Sequence, residues 1–256
     1  MSAGIIIVEQ DGIVEIRLDR TEKKNAMTAA MYDAATDALT EGGLRDSARV
    51  FVFTAEGTTF CAGNDMNSFL NPVDELEQSP GWRFIRALAA CGKPMVAAVQ
   101  GAAVGIGTTL LLHCDLVYAS PEASLSVPFV SIGLVPEAGS SLLLPHLMGR
   151  QRAARMLLLG EAMSAAEAHH AGLVSGIVPL EELRTHAIAK AQALASKPPM
   201  ALAGTRALMR GDEAALAAHM QREMALFARA VRGPEAREAA TAFLEKRAPD
   251  FNRLGA

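Results

Sequence analysis

The sequence predicts an α/β fold in which strands and helices alternate through roughly the first 200 residues and helices alone follow. Three observations predict it. Residues 95–101 (MVAAVQG) form an apolar run that reads as a strand buried on both faces. A glycine-rich turn at 101–107 (GAAVGIG) then leads into a short apolar helix at 108–114 and a further strand at 115–119, which together make a βαβ unit. From residue 180 onward, every segment is helical in pattern and none reads as a strand.

In chain order, residues 13–19 (IVEIRLD) alternate apolar and polar, which places Val14, Ile16 and Leu18 on one face of a strand. Met27, Met31, Ala34, Ala38 and Leu39 fall at helical spacing within 27–41. A buried strand is expected at 50–54 (VFVFT), then a loop rich in Gly, Cys and Asn at 57–67. Phe84, Ile85 and Leu88 mark a helix over 81–91, and the pattern turns helical again from about 137. Ser164 and Glu167 form a capping box ahead of a short helix that ends near Gly172, and 173–178 (LVSGIV) reads as a last strand. Helices follow at 180–196, 199–210, 212–232 and 234–247, broken at Lys197-Pro198-Pro199, Gly211 and Gly233-Pro234. The chain therefore divides into a core of residues 1–197 and an all-helical region of residues 198–256. The Ala/Met/Leu-rich faces of the second region call for a partner surface.

Composition narrows the function classes. A net charge of −4 and a pI near 5.9 argue against a nucleic-acid binder, which needs a basic face. Cys61, Cys91 and Cys114 are odd in number and lack CxxC spacing, which fits reduced, buried thiols better than disulfides or a metal site. The N-terminal stretch MSAGIIIVEQDG has no basic segment and no long apolar core, so no signal peptide is expected. No apolar stretch reaches the ~18 residues of a membrane span. The expectation is a cytoplasmic protein that acts away from membranes and nucleic acids.

Two turns could carry chemistry: FCAGNDM (60–66) and GAAVGIGTTL (101–110). A glycine-rich turn at a helix start directs free N–H groups outward. Two such groups on one carbonyl oxygen make an oxyanion hole, each donor being worth about 10²–10³ in rate. The same glycines would equally serve close packing of strand on helix. The spacing G-x-x-x-G-x-G is not the dinucleotide fingerprint, and no P-loop GK[ST] is present. In GLVPEAGSS (133–141), Glu137 follows a proline. That suits either a helix N-terminus or a catalytic base.

The segments NAMT (25–28), FCAGNDM (60–66), KPMVAAVQGAAVGIGTTLLLHCDLVYAS (93–120), MSAAEAHHAGLVSGIV (163–178) and AFLEKRAPDF (242–251) together resemble the enoyl-CoA hydratase/isomerase (crotonase) family. The matches run in order over nearly the whole chain. The resemblance implies a crotonase-like (ClpP/crotonase) spiral of ββα units followed by a helical trimerisation region, giving a homotrimer or a dimer of trimers. It implies an acyl-CoA thioester substrate, with coenzyme A entering as part of the substrate and no other cofactor or metal. The enolate would be held by two backbone N–H groups, mapped here to Ala62 and Ile106. Lys23, Lys24, Ala26, Gly63, Asn64, Asp65, Met66, Gly105 and Phe129 are the matching substrate-site positions. Phe243 and Lys246 match tail positions that reach the adenine end of CoA, sometimes on a neighbouring subunit. Arg20, Lys23 and Lys24 lie beside the turn near the CoA phosphates, although such lysines are equally ordinary surface residues. Asp65 fits a cap on the next helix as well as a substrate contact.

This chain departs from the family's hydratases at both catalytic glutamates, with Thr109 in one position and Phe129, after Pro128, in the other. Neither side chain can activate or orient water as a carboxylate does, so hydration is expected to be weak. Glu137 instead resembles the single glutamate of the Δ3,Δ2-enoyl-CoA isomerase branch. One base reaching C2 and C4 of a stabilised enolate can move a double bond. A raised Glu137 pKa is expected from an apolar pocket that includes Phe129. Open alternatives are ring-opening isomerisation of an aromatic epoxide acyl-CoA, where the branch typically carries aspartate, another acyl-CoA reaction of the family with weak hydratase activity, and a non-catalytic acyl-CoA-binding protein. An RNA-binding relative is opposed by the charge. A serine peptidase is opposed by the lack of GxSxG and by His146 as the one histidine near Ser140 or Ser141 in sequence. His169 and His170 are expected to face solvent, and His113 and His146 to be structural.

Overall fold

A computed structural model describes residues 4–65 and 75–252. Strand β1 (Ile5–Gln10) pairs antiparallel with β2 (Ile13–Leu18) through Asp11 and Gly12, whose φ values of 50° and 79° make the positive-φ turn that an Asp-Gly hairpin uses. β2 is followed across the sheet by β3 (Val50–Ala55), β4 (Met95–Val99), β6 (Leu116–Ala119) and β9 (Gly176–Ile177), all parallel. A second, three-stranded sheet holds β5 (Ala102–Val104), β7 (Ser124–Ser126) and β8 (Met163–Ser164) in that order.

The larger sheet is mostly apolar on both faces, as parallel sheets are, with the buried carboxylate of Glu15 held by Thr54 and Arg184. On one face Val50, Val52, Val96 and Ala98 lie under Leu183, Ala187 and Ala191 of α7 (Leu180–Ala195). On the other, Phe51, Phe53, Met95 and Ala97 pack with α1 (Ala29–Leu44) and α2 (Pro80–Ala90). Thr28 and Ser79 cap these two helices with their side-chain oxygens.

The chain spirals by placing one strand in each sheet and then a helix. β4 runs through Gly101 into β5 and then α3 (Ile106–Thr109), which continues as a tighter turn over Leu110–His113. β6 runs into β7 and then α4 (Ser140–Met148) and α5 (Arg150–Leu159). The expected βαβ unit is thus a ββα unit, because three residues inside the expected glycine turn are themselves a strand. Gly101 makes the corner. Its φ is +57°, and a Cβ there would stand 1.9 Å from the Thr58 carbonyl oxygen, so no other residue fits.

Ser164 caps α6 (Ala165–His170) with both bonds of the capping box formed. The C-terminal region is α8 (Pro199–Arg210), α9 (Glu213–Ala230) and α10 (Pro234–Leu244). It is not detached from the core: Met220, Met224 and Phe227 of α9, with Val231 and Ala236, belong to the same hydrophobic cluster as the sheet. Arg206 of α8 is buried, with Nε 2.8 Å from Asp115 Oδ1 and Nη1 2.6 Å from the Cys91 carbonyl. Met200, Leu208 and Met209 remain exposed on α8. Among the described residues, no helix is long and apolar enough to cross a membrane.

Candidate active site

Two backbone segments converge beside β5. The first is the entry to α3. Gly105 has φ 55° and ψ −119°, a conformation open to glycine, and a Cβ there would meet nothing within 4 Å, so the turn faces open space. Ile106 begins the helix, and its N–H has no intrahelical acceptor.

The second segment is 61–65, sewn to β5 by Cys61 N–H to Ala102 O (3.1 Å) and Val104 N–H to Cys61 O (2.8 Å). The next amide, Ala62, points the other way and donates to Lys24 O at 3.0 Å. Gly63 O accepts from Met27 N–H at 2.8 Å. Because a trans peptide directs its C=O and N–H oppositely, the Asn64 N–H points away from Met27, toward the β5 side. This corrects the sequence assignment. Ala62 is committed to holding the 20–27 loop, and among the described residues the amide left without an acceptor beside the α3 entry is that of Asn64.

Side chains lock this arrangement. Asn25, fully buried at φ 56°, accepts from Arg20 N–H (2.8 Å) and donates to the carbonyls of Glu56 (2.9 Å) and Thr59 (2.7 Å). The Tyr32 hydroxyl donates to Asn64 Oδ1. Asp65 pairs with Arg20 Nη1 at 2.8 Å, and the same nitrogen donates to Ala26 O at 3.0 Å. The Asp65 carboxylate therefore ties the two loops together. Met66 lies outside the described residues.

Glu137 is 7% exposed and sits in the loop before α4, not in the helix. Helix α4 starts three residues later, with Gly139 as its cap, so the alternative helix-terminal role for Glu137 is not the one it has. Its carbonyl accepts from Ser140 N–H (2.9 Å) and Oγ (2.6 Å), while Ala138 and Gly139 turn the chain at φ 57° and 73°. Its carboxylate meets Thr109 Oγ1 at 3.4 Å, a long hydrogen bond. Thr109 is the position where the resemblance places one hydratase glutamate, so the carboxylate comes to that place from another loop. Burial pushes the Glu137 pKa up to about 7, the Glu223 carboxylate adds to the rise, and Thr109 opposes it. The charge of Glu137 in turn reaches Tyr32 and Cys61, whose protons are held still more firmly by burial, the thiol at about 12.

Glu223 of α9 was not singled out in the sequence. Its buried carboxylate accepts Gly139 N–H at 2.6 Å and Ser141 N–H at 2.9 Å, so it supplies the acid that the start of α4 attracts. The Ser141 hydroxyl also donates to it. Arg222 Nη2 stands 3.0 Å from His219 Nδ1, and His219 Nε2 stands 2.8 Å from Ser141 Oγ. An arginine only donates, so Nε2 carries the imidazole proton and the Ser141 hydroxyl donates its hydrogen bond to Glu223. Ser141 thus has no imidazole base among the described residues, since His219 presents a protonated Nε2 and His146, its sequence neighbour, is exposed on α4.

His113 is buried with Nε2 2.9 Å from the Ala138 carbonyl, and burial lowers its pKa to about 4. It is a neutral strut under the turned residue. His169 and His170 are exposed, as expected. Of the other candidate residues, Lys23 and Lys24 are exposed on the loop above Ala62, and Ala26 and Gly63 join the paired backbone. Phe129 is buried in the main core. Phe243 and Lys246 stand exposed at the end of α10, with no described hydrogen bond or ion pair to the group around Glu137. Among the described residues, no three His, Cys, Asp or Glu side chains gather as metal ligands would.

A family model described as enoyl-CoA hydratase/isomerase matches residues 8–253. Enoyl-CoA delta isomerase 2 of Rattus norvegicus is 35% identical over 218 residues, covering 83% of this chain and 56% of that protein. The 2,3-dehydroadipyl-CoA hydratase of Escherichia coli (strain K12) is 33% identical over 250 residues, covering 96% of this chain and 98% of that one. The crystal structure of an enoyl-CoA hydratase/isomerase from Pseudoalteromonas atlantica T6c superimposes with a TM-score of 0.92 at 39% identity, covering 97% of this chain and 99% of that one. Hydratase and isomerase names both occur among these relatives. Spiral, paired glycine-rich turns and near-full-length matches agree, and this chain belongs to the enoyl-CoA hydratase/isomerase (crotonase) family.

Proposed function

We propose that the chain is an acyl-CoA isomerase that moves a double bond from 3-enoyl-CoA to trans-2-enoyl-CoA. The observation that carries this reading is Glu137: a buried carboxylate with a pKa near 7, hydrogen-bonded to the Thr109 that stands where a hydratase would carry an acid. The thioester oxygen accepts from Asn64 and Ile106 N–H, which stabilises negative charge as it develops. Glu137 takes a proton from C2, leaving a dienolate, and returns it at C4. The double bond then lies between C2 and C3, and the carboxylate is regenerated. A pKa near neutrality suits one group to both steps. Hydration would need a second acid to orient water, and Phe129 supplies none.

The reading extends to a cytoplasmic homotrimer or dimer of trimers that needs no cofactor beyond the CoA of its substrate. Residues 1–197 hold the acyl-CoA site and residues 198–256 the oligomer contacts. The exposed Met200, Leu208 and Met209, together with three free cysteines, support it. In this reading Lys23 and Lys24 of the exposed loop meet the CoA phosphates, and Phe243 and Lys246 meet its adenine end; their exposure supports it.

The test is conversion of 3-hexenoyl-CoA to its conjugated isomer by wild type and Glu137→Gln, with crotonyl-CoA hydration run alongside. Isomerisation reduced about 10²–10⁴-fold in the variant, with little hydration by either, is expected. A folded wild type that hydrates and does not isomerise would overturn the reading. Turnover of an aromatic epoxide acyl-CoA instead would overturn it in favour of the ring-opening reaction.

A further inference from the structure

An acid two residues ahead of a free helix amide is ordinarily the group that captures it, and a carboxylate holding such amides becomes a weak base. Glu137 lies two residues ahead of the Gly139 amide and four ahead of that of Ser141, yet holds neither. Both are taken by a carboxylate that arrives from α9, 84 and 82 residues further along the chain.

We propose that Glu223 is the positioning residue for Glu137: by occupying the start of α4 it keeps those amides from the Glu137 carboxylate and sets its charge beside it. The proposal rests on the reading of Glu137 as the base. Glu223 touches no reacting atom; it acts through the loop it clamps and through its charge.

The neighbours support this division of work. Facing Glu137 are Thr109, Tyr32 and Cys61, all uncharged at neutral pH, and the Glu223 carboxylate, which pushes the Glu137 pKa up. The nearby His113 is neutral and bonded to the Ala138 carbonyl. Facing Glu223 are the Gly139 amide, Ser141 and His219, whose Nε2 stands 3.6 Å from Glu223 Oε1. His219 is itself held by Arg222, so the hydrogen bonds run from the protein surface into Glu223 and end there. No cation is among the groups described as acting on Glu137. The carboxylate of Glu223 therefore receives the donors, and that of Glu137 keeps its basicity.

The test reads Glu137 directly, without substrate, by carbon-13 NMR titration of protein labelled at the glutamate carboxyl carbons and assigned with Glu137→Gln. Wild-type Glu137 is expected to titrate near 7. In Glu223→Gln it should fall by roughly one unit, because a like charge is gone and an amide is freed. In Glu223→Asp, which keeps the charge, it should stay close to wild type. The acid limb of the pH–rate profile should move down with it in Glu223→Gln, with kcat at high pH lowered and KM little changed. An unmoved Glu137 titration in Glu223→Gln would overturn the proposal even if isomerisation were confirmed. A shifted titration in a protein without isomerase activity would uphold the positioning and overturn the function. Should Glu223→Gln not fold, Glu223→Asp decides: a Glu137 titration in the ordinary carboxylate range there would overturn the proposal.

Discussion

Replacing Glu137 with glutamine should stabilise the protein at alkaline pH and leave its stability unchanged at acid pH. Glu137 titrates at 4.5 when exposed in the unfolded chain and at about 7 in the folded one. The 2.5-unit difference, at about 1.4 kcal/mol per unit, amounts to roughly 3 kcal/mol. The folded state binds the proton more tightly, so this contribution to stability is fully present below pH 4.5 and is lost as pH rises through 7. Glutamine has nearly the same shape and no charge to bury. Its advantage over wild type should be near zero at pH 4.5 and grow to about 3 kcal/mol by pH 8. At roughly 2–4 °C per kcal/mol for a chain of this size, Tm should differ by several degrees at pH 8. Differential scanning calorimetry of both proteins from pH 4.5 to pH 8 measures it. A Tm difference that does not change with pH, or a variant less stable than wild type at pH 8, would refute the idea that the site buries a costly charge.

Two further predictions separate packing from function. Gly101→Ala places a methyl group 1.9 Å from a carbonyl oxygen and should yield no folded protein on expression, whereas Gly105→Ala meets no atom within 4 Å. The second should cost only about 1–3 kcal/mol of backbone strain, read as a lowered Tm, while its activity falls far more steeply. In the native protein, a thiol reagent at pH 8 should leave Cys61 unmodified, because burial holds its proton up to about 12, and all three cysteines should react on unfolding.

Much of the fold was legible because its elements are long enough to show a period. Phe51 and Phe53 against Val50 and Val52, the capping box of Ser164 and Glu167, and the proline and glycine breaks of the C-terminal helices all survive in the structure. The three-residue strands β5 and β7 did not show, since three residues display no period and β5 lies inside a glycine-rich turn. β1 had a readable signal: Asp11-Gly12 between two apolar runs is a hairpin sequence. The site was legible in part. Glu137 stood out from the missing carboxylates at Thr109 and Phe129, but which amide of 62–64 turns inward depends on pairing with residues 24–27, which no local pattern fixes. Glu223 left a trace that points to it: Met220, Met224 and Phe227 form one buried stripe of α9, and Glu223 is a charge set within that stripe.

The proposed proton transfer falls to one buried carboxylate, Glu137, with a pKa near neutrality. Its most direct test is the pH dependence of kcat/KM for 3-hexenoyl-CoA isomerisation. Wild type should show a single-proton rise centred near pH 7, and Glu137→Gln should lose it together with most of the activity. A rise centred near pH 4.5, or a variant that keeps the wild-type profile, would contradict it.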